Sequence, residues 1–169
     1  MPRPTLIIIS GPPGTGKTTL AHELARAIPC IAISRDEIKE GMVHAAGEFK
    51  ADVGDELTQR TYPLFFEVLE RLLRAGVTVV GEAAFQDKLW RTKLEPLADL
   101  AEFRVVQCHS PDAPKRAAGR SREAHPDFIV TPEYYAGFER LTIEPSIDVD
   151  TTDGYDPSIE EIVTFVNGR

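Results

Sequence analysis

Residues 5–20 read TLIIISGPPGTGKTTL. The apolar run at 6–9 breaks into Gly11-Pro12-Pro13-Gly14-Thr15-Gly16-Lys17-Thr18, which has the P-loop spacing: glycine, four residues, then Gly-Lys-Thr. The setting is the required one, with a β-branched strand before it and Thr19-Leu20-Ala21-His22-Glu23-Leu24-Ala25 in helical pattern after it. Gly11, Gly14 and Gly16 let the backbone take positive φ and approach a polyphosphate, so successive N–H groups form an anion nest. Lys17 can reach the β- and γ-phosphates, and Thr18 can offer its hydroxyl to Mg²⁺. The helix that starts there presents its positive end. Residues 11–19, from Gly11 to Thr19, are therefore expected to hold ATP or GTP with Mg²⁺.

Outward from this stretch, strand and helix signals alternate. Residues 30–33 read as a short second strand. Ser34 reads as an N-cap, with Glu37 completing a capping box for a helix to about residue 46. A polar loop is expected at 47–54, then a helix broken or begun again at Pro63 and stopped by Gly76. Residues 77–81 give a third strand, about 87–100 a helix, and 103–108 a fourth strand. A basic helical stretch at 111–123 leads to a loop and a helix over about 132–141. Residues 146–149 form a fifth strand, and 158–167 a closing helix. Five buried-type strands alternating with helices predict an α/β, three-layer P-loop NTPase fold: a five-stranded parallel sheet with helices on both faces. In such sheets ligands sit beyond the carboxyl ends of the strands.

With 169 residues, 42% of them hydrophobic and 27% charged, the chain has the composition of one ordinary globular domain. No apolar run approaches the ~20 residues of a membrane span, and no signal-peptide layout is present, so a cytoplasmic protein is expected. Cys30 and Cys108 sit in apolar runs and read as buried strand residues in a reducing compartment. The four histidines lack metal-ligand spacing. A net charge of −8 argues against a broad nucleic-acid surface.

The residues just after each strand carry the chemistry. Asp36, in Ser34-Arg35-Asp36-Glu37, can accept a proton from a substrate hydroxyl; it can equally be a first-turn acid stabilised by the helix dipole. Arg35 and Lys39 can hold an acidic group of the substrate or be solvated charges. Glu82 ends the third strand where no Walker-type aspartate stands, and reads as a group of the Mg²⁺ shell or of the acceptor site. Phe85 walls the acceptor pocket or belongs to the core. Lys115, Arg116, Arg120 and Arg122 form the one basic cluster; Arg116 and Arg120 are four apart and share a helix face. Arginines closing over a transferring phosphoryl stabilise its charge, whereas a solvated basic face is the plain alternative.

The loop at 11–18, the Arg35-Asp36 pair after the second strand and the arginine segment after the fourth together resemble the small P-loop kinases. That group includes polynucleotide 5′-kinase, gluconate kinase, chloramphenicol phosphotransferase and many AAA-type ATP-binding proteins. The likeness runs over nearly the whole chain, implying a single kinase domain at 1–169 with a short arginine-bearing lid at about 111–130. It implies Lys17 on phosphate, Thr18 on Mg²⁺, Asp36 as general base, and Arg116, Arg120 and Arg122 in the lid. Thr152, in the turn after the fifth strand, would flank the adenine. The chain departs from the polynucleotide-kinase pattern at Glu82-Ala83-Ala84, and its length leaves no room for the extra helical domain of a ring motor. The leading expectation is an ATP-dependent transfer of a phosphoryl group to a hydroxyl of a small molecule, by a monomer or homodimer. A nucleotide or polynucleotide kinase and an ATP-hydrolysing switch are the competing readings.

Overall fold

The computed structural model describes residues 2–52, 54–120 and 131–168. Its centre is β1, Thr5–Ser10, which pairs in parallel with β3, Val79–Glu82, on one side and β4, Glu102–His109, on the other. The edges are β2, Ile31–Ser34, beside β3, and β5, Ser146–Asp150, beside β4. The all-parallel order is β2-β3-β1-β4-β5. This is the predicted three-layer α/β P-loop fold.

Successive side chains of a strand point to opposite faces, and β1 shows the consequence. Leu6 and Ile8 enter a core with Phe65, Leu69, Val79, Phe85 and Trp90. Ile7 and Ile9 enter the other core, with Leu20, Leu24, Val106, Val149 and Ile162. The second face is covered by α1, Lys17–Ala27, and α7, Ile159–Val166. The first is covered by α3, Glu56–Arg74, and α4, Asp87–Leu94. Helix α2, Arg35–Ala46, follows β2 and packs on α3.

Several local expectations are corrected. Helix α3 runs unbroken through Pro63. An interior proline costs about 3 kcal/mol. Here it sits on the exposed face, while Leu57, Phe65, Leu69 and Leu73 bury a continuous stripe worth about 1.5–3 kcal/mol each. The helix expected at 87–100 ends at Leu94 and continues as a 3-10 turn, Glu95–Asp99, with Pro96 at its start. Of the stretch at 111–123, the described residues are helical as α5, Ala113–Ala118, while 121–123 lie outside the described residues; that at 132–141 is helical as α6, Pro132–Ala136. Half of the capping box at Ser34 forms: its hydroxyl accepts from the Glu37 N–H, but the Glu37 carboxylate meets His22 at 2.7 Å. The complete box is at Ser158 and Glu161. Cys30 precedes β2 and is half-buried, whereas Cys108 is buried in β4, where burial pushes its thiol up to about 12. Among the described residues no helix is long and apolar enough to cross a membrane.

Candidate active site

The loop from Gly11 to Gly16 leaves the carboxyl end of β1 and turns into α1 at Lys17. Gly16 is the N-cap, left-handed at φ 71°, and it supplies no capping side chain; no acidic residue stands in the first turn. The helix therefore points its free N–H groups and positive end into the loop. Gly14, at φ 84°, touches α5, and a Cβ there would overlap the Ala113 carbonyl.

Glu82 gathers the site. It is 1% exposed at the end of β3, one strand in from the edge strand β2. Thr18 Oγ1 donates to Glu82 Oε2 at 2.9 Å and Ser34 Oγ donates to the same oxygen at 2.7 Å. Lys17 Nζ lies 3.8 Å from Oε1. Burial pushes the Glu82 carboxyl up; the Lys17 charge opposes this, the Asp36 charge adds to it, and the two hydroxyl bonds oppose it. Lys17 and Thr18 from the start of α1 and Glu82 from the end of β3 thus converge.

The same geometry fits Mg²⁺. The Thr18 proton is committed to Glu82, which leaves the hydroxyl's lone pairs for a hard cation. Thr18 and Glu82 offer oxygen only, as Mg²⁺ prefers, and such ions take further ligands from phosphates and water.

Arg35 and Asp36 open α2, with Arg35 Nη1 3.5 Å from Asp36 Oδ1. The Arg35 guanidinium lies 5.9 Å from the centre of the Trp90 ring, and its buried Nε has no partner among the described residues. Tyr134 belongs to the same neighbourhood: burial pushes its hydroxyl up, the Tyr135 and Asp36 charges add, and Arg35 and a Gln86 hydrogen bond oppose.

Other expected residues stand elsewhere. Lys39 is neither solvated nor open to a substrate; it is 1% exposed and bonds Asp55 at 2.9 Å. Burial disfavours the Asp55 charge, but the Lys39 bond, the Thr58 and Asp52 N–H groups and the Lys39 charge hold its carboxyl at about 2. Phe85 is fully buried beside Phe65 and Trp90, so it is a core residue. Arg116 donates to the Thr151 and Thr152 carbonyls at 3.0 and 2.7 Å, which fixes the turn after β5. Thr152 also meets Ser110 at 3.2 Å. Arg120 is exposed. Arg122 and the 121–130 part of the expected lid lie outside the described residues.

Three contacts escaped the sequence reading. Tyr135 Oη donates to the Pro13 carbonyl, Thr151 Oγ1 donates to the Thr15 carbonyl, and Trp90 lies against Arg35. Each receiving group in the loop is a backbone carbonyl, which no residue pattern advertises.

Comparison with known proteins gives the family and the fold. Residues 6–135 match the family described as an AAA domain. Shikimate kinase from Corynebacterium efficiens is 34% identical over 90 residues, covering 50% of this chain and 48% of its own length. The chain thus matches about half the length of that curated relative. A candidate kinase from Chloroflexus aurantiacus superposes with a TM-score of 0.81 at 23% identity, covering 99% of this chain and 98% of the other. APS kinase from Mycobacterium tuberculosis, in complex with AMPPNP and APS, gives 0.68 at 17% identity over 99% of both chains. At these identities the two structures establish the fold.

Proposed function

The chain belongs to the AAA domain family, and from that premise we propose that it is an ATP-dependent kinase that phosphorylates a hydroxyl of a small molecule. The observation that carries this reading is the meeting of Lys17, Thr18 and Ser34 on Glu82 at the mouth of the loop, with the Arg35-Asp36 pair one residue beyond Ser34. A nucleotide switch has no need of a carboxylate and a cation placed for an acceptor. The kinase names of the relatives support the same class.

In this reading the loop N–H groups and Lys17 bind the β- and γ-phosphates, and Thr18 with Glu82 holds Mg²⁺. Bound there, the cation neutralises charge that builds on the phosphate oxygens. Asp36 takes the proton of the acceptor hydroxyl as its oxygen forms the new bond to the γ-phosphorus. The bond from that phosphorus to the bridging oxygen breaks, and ADP leaves with the electron pair. Arg35, with a buried donor unpaired among the described residues, takes an acidic group of the acceptor and so orients the hydroxyl toward Asp36. Arg116 holds the turn at Thr151 and Thr152 that borders the nucleotide base.

The test is a panel of hydroxyl-bearing acceptors incubated with ATP and Mg²⁺, with mass spectrometry for a gain of one phosphoryl group. A 5′-hydroxyl oligonucleotide belongs in the panel. Small hydroxy compounds are expected to be labelled and the oligonucleotide not, because the net charge of −8 repels a polyanion. Efficient labelling of the oligonucleotide alone would move the acceptor class to nucleic acid.

A further inference from the structure

Ser34 does two things with one hydroxyl. Its oxygen accepts the Glu37 N–H at 3.4 Å, capping α2, and its proton goes to Glu82 Oε2 at 2.7 Å. The side chain is buried at 3% exposure, so water does not compete for either bond. Ser34 also pairs in register with Glu82 across β2 and β3, so the backbones fix the span that the hydroxyl crosses.

We propose that Ser34 is a positioning residue that acts through Glu82, setting the carboxylate for the metal and tying it to the helix that carries Asp36. This rests on the kinase reading above. Glu82 Oε2 accepts two hydrogen bonds, one from Thr18 on α1 and one from Ser34 at the end of β2. With both present, the carboxylate plane is fixed and Oε1 is left toward Lys17 at 3.8 Å. With the Ser34 bond lost, Glu82 is held by Thr18 on one side only, and it can turn to pair more closely with Lys17. That turn withdraws an oxygen from the cation and a cation from the phosphates together. Because Ser34 stands immediately before Arg35 and Asp36, the same bond sets the height of the base relative to the metal side.

A mere capping role is separable from this one. Glycine at an N-cap costs only a few tenths of a kcal/mol relative to serine, so Ser34→Gly keeps the helix start while deleting the bond to Glu82. Calorimetric ADP affinity is measured with and without Mg²⁺ for the wild type, Ser34→Gly, Glu82→Gln and the double variant, with thermal melts to establish folding. The wild type is expected to gain affinity with Mg²⁺. Ser34→Gly and Glu82→Gln should each lose about tenfold of that gain, and the double variant no more than Glu82→Gln alone, since residues acting as a unit are not additive. Unchanged Mg²⁺ dependence in a folded Ser34→Gly, or additive losses in the double variant, would overturn the role of Ser34. A wild type that binds no nucleotide would instead overturn the kinase reading on which it rests. If Glu82→Gln fails to fold, Glu82→Asp takes its place in the cycle.

Discussion

Tyr135 donates its phenolic hydroxyl to the carbonyl of Pro13 at 2.7 Å, across 122 residues of chain. The phosphate loop is thereby held from outside by α6, as it is by Thr151 from the turn after β5. Tyr135→Phe removes the donor and leaves the rest of the ring. A net hydrogen bond of about 1 kcal/mol corresponds to about fivefold in affinity. Mg·ADP should bind about that much more weakly in titration calorimetry; equal affinity would mean that the contact does not shape the loop.

Lys17→Ala should remove productive Mg·ATP binding, with a loss of about 10–100-fold for a charge-assisted contact. It should also change how stability depends on pH. Glu82 has a raised pKa in the fold, so its contribution to stability is present below the ordinary value of 4.5 and is lost as pH rises through the folded value. Without the Lys17 charge that value rises further. The destabilisation of the variant relative to wild type should therefore grow as pH rises through the raised wild-type folded value, which melts at several pH values would show.

Asp36→Asn keeps the shape of the side chain but cannot take a proton. Loss of a general base costs about 10²–10⁴ in rate. Turnover of an identified acceptor should fall by that much with ATP affinity retained. A fall of less than about threefold would return Asp36 to the role of a first-turn acid on α2.

Arg35→Ala tests the acceptor side alone. The buried Nε, without a partner among the described residues, predicts an anionic contact that the nucleotide does not use. Steady-state kinetics should show the acceptor KM raised about 10–100-fold, with the KM for ATP little changed. The opposite split would place the guanidinium on the nucleotide.

Lys39→Met leaves Asp55 buried without its cation. Breaking a buried pair costs about 3–5 kcal/mol, which is roughly 6–20 °C in Tm for a domain of this size. The pH dependence has a definite sign. Asp55 titrates at about 2 in the fold against an ordinary 3.8, so its contribution is full above about 4 and is lost as pH falls toward 2. The gap between wild type and variant should close over that window in acid melts.

The sheet and the loop were legible because both are written in local pattern. β-branched runs bury on two faces, and Gly11 to Thr18 encodes a backbone shape together with its ligand. The placement of Asp36 and Glu82 at strand ends was legible for the same reason, since strand ends can be located from the pattern. What the sequence concealed was pairing. Lys39 looks like a surface cation until α3 brings Asp55 to it. Arg116 looks like a phosphate clamp until the β5 turn offers it two carbonyls. Pro63 looks like a break because the stripe that outweighs it is summed over the whole of α3. These outcomes depend on partners distant in sequence, which a reading by spacing does not rank.

The two halves of the candidate site hang from strands of unequal standing. The loop leaves β1, which has a neighbour on each side and a core on each face. Arg35 and Asp36 follow β2, a four-residue edge strand whose Ile31 is 43% exposed. Amide exchange at Ile7 to Ile9 then requires opening of the whole fold, while β2 can fray alone. Substitutions that retune the acceptor are consequently cheap for the scaffold, and those beneath the nucleotide are costly. On the kinase reading, a fold built on this plan can change its phosphoryl acceptor far more readily than its donor.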